Sequence, residues 1–343
     1  MHICHRLVLL MPLLAIVAGC SDDRPVLHIY NWGDYISEEV VEKFEEANNC
    51  KVEIDAFDSN EAMYTKLKQG AGGYDIIVPS SYMAKLMYNQ AMILPLDHTK
   101  LPAVKRHFDE TYATLSLDSD MTYSVPYFVS VSGIGYDSRR LNNFKPTWTM
   151  FDRADLKDAC SLLNDHRETM GAALISLGYT PNTTNQTEIQ HAVKRLLGWK
   201  QNIAKFEVDA AKQSLASGEF KMIHTYNGDM LHVSAEKPYI KFVIPQEGST
   251  ITFDNFVIPT GCDNLELAYK FINFMYEPEN AAENMNHVMY VMPNKTAISL
   301  VDESLRNNPA FAIPTEDLKR CQPLEDLGDA NRFYTDAWDR VRN

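Results

Sequence analysis

None of the six cysteines in this 343-residue chain stands in CxxC spacing, which speaks against a zinc knuckle or a dithiol redox centre. Past the first few residues the histidines form no HxxxH or HExxH arrangement. No P-loop, GxGxxG or GxSxG follows a strand-like run. Metal, nucleotide and acyl-transfer chemistry therefore find no anchor, and no cofactor is expected. Positive charge is scarce: 32 Lys and Arg face 46 Asp and Glu, a formal charge of −14. Such an excess argues against nucleic acid or anionic lipid as partner and suits a cationic ligand. No segment after the N-terminal run approaches the length of a transmembrane helix.

That N-terminal run, residues 7–16, follows Arg6 and is too short to span a bilayer; it has the shape of a secretory signal. It ends in Val17-Ala18-Gly19-Cys20, which resembles a bacterial lipobox, with cleavage before Cys20 and a lipid on its sulfur. Residues 1–19 are read as signal peptide and 20–25 as a polar tether to a membrane surface in the periplasm or cell envelope. Loss of Arg6 makes the mature charge −15. Cys50, Cys160, Cys262 and Cys321 remain, as structural thiols or in one of three disulfide connectivities.

With 45% hydrophobic and 23% charged residues, the remainder is a folded chain long enough for two domains. Strand and helix signals alternate. Residues 26–30 form an apolar strand and 37–44 a helix; 51–57 alternate with period two; Asn60 is read as the cap of a helix carrying Met63 and Leu67 that stops at Gly70; 74–78 suit a buried parallel strand. This rhythm predicts an α/β fold with a doubly wound sheet. Its carboxyl edge then carries two loops: Asn31-Trp32-Gly33-Asp34-Tyr35, and Ser80-Ser81-Tyr82 ahead of a helix at 83–87. Both loops also admit a plain structural role, with Trp32 in the core, Asp34 or Ser80 as helix caps and Tyr82 on the surface. Residues 123–137 and 249–259 are long extended runs, read as two crossovers that place a hinge between two lobes.

The ordered set Tyr30-Asn31-Trp32-x-x-Tyr35, Tyr74-Asp75-Ile76-Ile77-Val78-Pro79-Ser80-x-Tyr82, Asp165-x-x-Glu168 ahead of Leu177-Gly178-Tyr179, Asn227-Gly228, Asp254 ahead of Ile258-Pro259, and Tyr290 ahead of Pro293-Asn294 resembles the polyamine-binding proteins of the spermidine/putrescine type. These are type II periplasmic binding proteins of ATP-driven importers, and the likeness spans roughly residues 27–341. The resemblance implies two lobes, each a mostly parallel sheet flanked by helices: residues 26–128 with 255–300, and 129–254 with 301–343. It implies a ligand cleft between them and a monomeric, non-enzymatic protein that delivers its ligand to a membrane permease. A polyamine alternates charge and hydrocarbon, so such a site needs carboxylates for the ammonium groups and ring faces for the methylenes.

Carried over by position, the resemblance implies a wall of Trp32, Tyr35, Tyr82, Tyr226 and Tyr290, a polar contact from Ser80, and acids at Asp34, Asp165, Glu168, Asp229 and Asp254. Asp165 and Glu168 also fit a helix start, and Asp229 a turn after Asn-Gly. Asp254 lies in an apolar run, where a carboxylate is costly to bury without a cation. The chain departs from the pattern at Tyr226 (Trp in the spermidine type), at Gly33, at Thr252 (Trp or Phe) and at Leu324 (Gln), where Glu325 stands beside it. At Thr252 hydrogen bonding is expected to replace a ring. Spermidine, norspermidine, putrescine and cadaverine all stay open. Docking on a membrane sensor instead of a permease uses the same binding chemistry, and an amine-acting enzyme would need a nucleophile that the sequence does not offer.

Overall fold

A computed structural model describes residues 23–343; the expected signal peptide, Cys20 and the start of the expected tether lie outside the described residues. Strand β1 (Val26–Trp32) pairs in parallel with β2 (Lys51–Phe57) and with the short β3 (Ile76–Ile77), in the order β2-β1-β3. Pairing of β3 is confined to two residues, with the Asp75 and Val78 N–H groups on either side donating to the His28 and Tyr30 carbonyls of β1, while Ile77 also bridges to Val257 on its other edge. Helix Glu38–Asn48 buries Val40 and Phe44 against this sheet and ends at Asn49 in the left-handed region. The next helix, Asn60–Lys68, is capped by Ser59, whose hydroxyl accepts from the Ala62 N–H at 3.2 Å. Asn60, expected as that cap, is buried and turns its amide toward Ser80.

The second sheet is built on β4 (Val125–Asp137), whose 13 residues reach about 40 Å at the rise of an extended strand. Its first half pairs antiparallel with β9 (Ser249–Phe256) and its second half with β7 (Met222–Tyr226) and β8 (Ile240–Val243). Beyond β7 run β5 (Cys160–Leu163) and β6 (Lys205–Glu207) in parallel, while β10 (Cys321–Pro323) lies parallel to β9. The sheet is mixed, because the crossing strand β4 runs against three of its neighbours.

One strand thus passes through several cores. Val125, Tyr127 and Phe128 sit in the core of β1, Phe44, Phe256 and Phe271; Val129 and Val131 pack with Ile251 and Phe253; Ile134 joins Trp148, Leu162 and Trp199. The pair β4–β9 is the ribbon between two lobes of an α/β fold. Val301, Leu305, Ala310 and Phe311 pack into the first core, although the sequence reading gave everything from 301 onward to the second lobe. An apolar segment follows the surface it can bury against, and here that surface is Val288 and Met292. Cys50, Cys160, Cys262 and Cys321 are free thiols, the first, second and fourth buried.

His224 on β7 is fully buried, edge-on to Trp148 with ring centroids 4.9 Å apart, and neither ring nitrogen has a hydrogen-bond partner among the described residues. Burial lowers its pKa to about 3. The unfolded chain takes up that proton near pH 6.5, so stability falls as pH drops below 6.5 toward 3. Denaturant unfolding should show His224 costing about 3 kcal/mol between pH 7 and pH 4. The His224→Leu variant should lose that part of the acid sensitivity; identical pH slopes for the two proteins would refute the assignment.

Candidate functional site

Asp254 occupies the sixth position of β9, opposite Ser80 across an isolated bridge that joins the two sheets. Its carboxylate is buried and accepts hydrogen bonds from the Ser80 hydroxyl at 2.7 Å and the Tyr35 hydroxyl at 2.9 Å. Ser80 stands at the N-cap position of helix Ser81–Asn89 but makes no cap hydrogen bond, because its side chain is committed to Asp254 and to Asn60. The loop bearing Tyr35 is fixed from behind. Tyr127 donates to the Tyr35 carbonyl at 2.7 Å, Asn284 donates to the Tyr127 hydroxyl, and the same Asn284 accepts from the Ser37 N–H.

Burial raises the Asp254 carboxyl from its ordinary range to about 6, against the opposing pull of hydrogen bonding from Ser80, Tyr35 and Trp32. The Trp32 indole N–H is buried and has no hydrogen-bond partner among the described residues, and its ring leans on Phe57 with centroids 4.4 Å apart. Trp32 is therefore both half in the core and turned to the site.

Glu168 approaches from the other lobe. It lies in the first turn of helix His166–Ser176 and is buried, with its carboxylate bonded by the Thr250 hydroxyl and by the Thr252 hydroxyl at 3.3 Å. Burial and then the charge of Asp165 raise its pKa; hydrogen bonds from Thr250, Ser132 and Thr252 oppose the rise. Thr250, Thr252 and Asp254 share one face of β9, since side chains alternate along a strand. That face carries Glu168 over its first two members and ends in Asp254, about 7 Å farther per two residues of strand. Thr252 bonds an acid, in line with the hydrogen bonding expected there. Asp165 is the N-cap of its helix, accepting from the Arg167 and Glu168 N–H groups at 2.8 and 3.0 Å. Its capping role and its place beside Glu168 coexist.

Aromatic rings close the space between the acids. Tyr35 meets Phe128 and Tyr290 edge-on at 5.2 and 5.7 Å. The Tyr290 ring rests on Gly228, where an added Cβ would meet it at 2.3 Å, which accounts for the glycine after Asn227. The Tyr226 hydroxyl is held protonated first by burial and then by the charges of Glu168, Asp165 and Asp254. Tyr82 donates to Glu61 at 3.0 Å and lies within the field of Asp165 on the opposite lobe. These two faces border a cavity of about 240 Å³, lined by Glu61, Tyr64 and Tyr82 on one side and His166, Arg167 and Asp326 on the other.

Two expected acids stand apart. Asp34 is exposed in a left-handed turn at φ 52° and makes no side-chain hydrogen bond among the described residues. Asp229 is ion-paired with Lys212 at 2.9 Å. Leu324 is buried and Glu325 exposed, with only the Glu325 backbone engaged, by Arg167 and Asn182. Sequence reasoning missed Glu61, which follows a strand at the same carboxyl edge as Trp32. It also missed the hydroxyl cradle of Ser132 and Thr250, although period-two alternation from Asp254 pointed to Thr250. Neither Asp254 nor Glu168 has a Lys, Arg or His within ion-pair distance among the described residues.

This architecture, two lobes joined by a strand ribbon with buried acids gathered where they meet, is that of a solute-binding protein, and the chain belongs to the bacterial extracellular solute-binding protein family, whose model matches residues 39–313. It is not an enzyme. The putrescine-binding periplasmic protein SpuD of Pseudomonas aeruginosa is 31% identical over 359 residues, covering 98% of this chain and 98% of that protein. A putative spermidine/putrescine ABC transporter protein from Listeria monocytogenes superposes with a TM-score of 0.86 at 36% identity, covering 92% of this chain and 98% of that one. The TpPotD lipoprotein of Treponema pallidum gives 0.85 at 34% identity, covering 92% and 99%.

A buried carboxylate whose folded pKa of about 6 exceeds its unfolded value destabilises the protein above pH 6 and is relieved as pH falls toward 4. Asp254→Asn should therefore raise the stability of the ligand-free protein at pH 8 by about 1–3 kcal/mol in denaturant unfolding. No gain would mean that the carboxylate carries no desolvation penalty.

Proposed function

We propose that this protein binds a polyamine of the spermidine, norspermidine or putrescine class in the slot between its lobes and presents it to the membrane permease of an ABC importer. The observation that carries this reading is the pair of buried carboxylates, Asp254 and Glu168, that lack a cation of the protein's own. Buried ions of one sign are stable only when a partner of the other sign arrives. A polyamine supplies ammonium groups for both, and its methylenes lie against Trp32, Tyr35, Tyr226 and Tyr290, whose faces also attract the adjoining cations. Ser80 orients the Asp254 carboxylate, and Tyr82 with Asp165 lines the mouth. Asp34 is at most a rim acid. The relatives named above point the same way, and one of them is a lipoprotein, in keeping with a lipid on Cys20. Closure of the lobes about β4 and β9 would let a permease distinguish loaded from empty protein.

Titration calorimetry of the mature protein should show micromolar or tighter binding of at least one di- or triamine; heat only with amino acids or sugars would reject the proposal. Asp254→Asn should weaken that binding by about 2 kcal/mol or more. Since the cation needs both acids ionised and Asp254 titrates near 6, affinity should drop about tenfold or more from pH 8 to pH 5, with proton release at pH 6. A flat pH profile would remove Asp254 from the cation site. Small-angle scattering should show compaction on ligand addition, and unchanged profiles would count against a closing cleft.

A further inference from the structure

Two polar residues at helix starts beside the site do not serve those helices. Asn60 opens helix Asn60–Lys68, yet Ser59 caps it, and Ser80 stands at the N-cap position of helix Ser81–Asn89 without a cap bond. Both side chains are buried and face each other across 20 residues of chain. The Ser80 N–H donates to Asn60 Oδ1 at 3.1 Å, and Asn60 Nδ2 donates to the Ser80 hydroxyl at 3.1 Å. A backbone N–H can only donate, so it fixes which end of the amide is oxygen; the end left facing Ser80 Oγ is the NH2, which also can only donate. With its oxygen accepting from Asn60, the single proton of the Ser80 hydroxyl goes to its other neighbour, Asp254 Oδ1, at 2.7 Å. The Tyr35 hydroxyl, 2.9 Å from Asp254 Oδ2, carries no such lock, since nothing else among the described residues bonds it.

We propose that Asn60 is a positioning residue for the binding acid: it fixes the Ser80 hydroxyl as a standing donor to Asp254 Oδ1 and thereby favours the carboxylate, the form that receives a cation. A hydrogen bond donated to the charged form stabilises that form, and a donor that cannot reverse offers a protonated Oδ1 nothing in return. Proton uptake is directed to Oδ2, where the Tyr35 hydroxyl is free to turn and accept. Burial raises the Asp254 carboxyl to about 6, and the Ser80 bond is the strongest of those opposing the rise. The ionisable groups facing Asp254 are Tyr35 from the β1 loop, Tyr127 on β4, Tyr226 at the end of β7 and Tyr290, each kept protonated chiefly by burial. Glu168 lies farther along β9 over Thr250 and Thr252, and Glu61, next to Asn60, accepts from Tyr82. The inference rests on the polyamine reading above and adds to it how the receiving acid is kept charged, by a residue one hydroxyl removed from it.

The test is calorimetry with putrescine and spermidine between pH 5 and pH 8.5 on the mature protein, Asn60→Ala, Ser80→Ala and the double variant, reading the midpoint pH at which affinity is lost. Asn60→Ala should raise that midpoint by about half a pH unit or more, because a carboxyl with a higher pKa loses its charge at higher pH, while affinity at pH 8.5 stays within about threefold. Ser80→Ala should raise it at least as far. Adding Asn60→Ala in that background should leave the midpoint in place, since the hydroxyl through which Asn60 acts is gone. A purely structural role lowers affinity by the same factor at every pH; that result, or midpoint shifts that add in the double variant, overturns the inference while the polyamine reading stands. A native protein that binds neither amine at any pH overturns both. Should Asn60→Ala fail to fold, Asn60→Asp keeps an acceptor for the Ser80 N–H and lacks the donor, so its midpoint should also rise; an unmoved midpoint there overturns the inference equally.

Discussion

Two carboxylates buried without a cation set the constraint on which the rest of this structure depends. Asp254 and Glu168 come from elements 86 residues apart, Glu168 from a helix of one lobe and Asp254 from the end of the strand ribbon that joins both. Each is dressed with hydroxyl donors, Ser80 and Tyr35 on one and Thr250 and Thr252 on the other. Neutral donors moderate the cost of burying a charge but do not cancel it, and the upward pKa of Asp254 to about 6 records what is left. Under the proposed function, a bound cation would relieve this cost. Fold stability and binding are in tension at these positions, which is the usual relation between stability and a preorganised site.

The fold serves this arrangement by making rigid what lies behind it. Tyr35 is set by Tyr127, which is set by Asn284, which also holds Ser37. Asn227 accepts from the Val131 N–H and donates to the Ala310 carbonyl, tying the helix under Tyr290 both to the crossing strand and to the segment that returns to the first core. These bonds tie the loop of Tyr35 and the helix under Tyr290 to the crossing strand. β4 and β9, which join the cores, also carry Asp254 and the Thr250 and Thr252 hydroxyls that bond Glu168.

Much of this was legible in the residues. The loop with Tyr35, the Ser80 turn ahead of its helix and the long extended runs lie where the patterns put them, whereas Asn31 and Trp32, expected in the loop, are the last two residues of β1 and pair with Ala56 and Phe57, because the ladder with β2 continues past the apolar run. Other positions were misread for physical reasons. Asn60 has the composition of a cap, yet Ser59 beside it serves that role and leaves Asn60 to a partner 20 residues on. Asp229 reads as a free acid until a lysine from another helix arrives, and Asp34 reads as a wall acid until a left-handed turn carries it to the surface. Val301 through Phe311 change lobes because packing, and not chain order, decides which core an apolar segment joins.

By itself the sequence determined the class of chemistry: an acidic excess, rings beside carboxylates at a sheet edge, no nucleophile or metal set, and an ordered run of motifs shared with polyamine-binding proteins. Those are properties of residue type and local spacing, which the chain carries whether or not it is folded. Only the tertiary structure decided which acids are buried and unpaired, and which serve as caps, are paired or are exposed. A carboxylate's charge state and partners depend on groups dozens to hundreds of residues away, and burial and Coulomb energy are functions of distance in space and not of position along the chain.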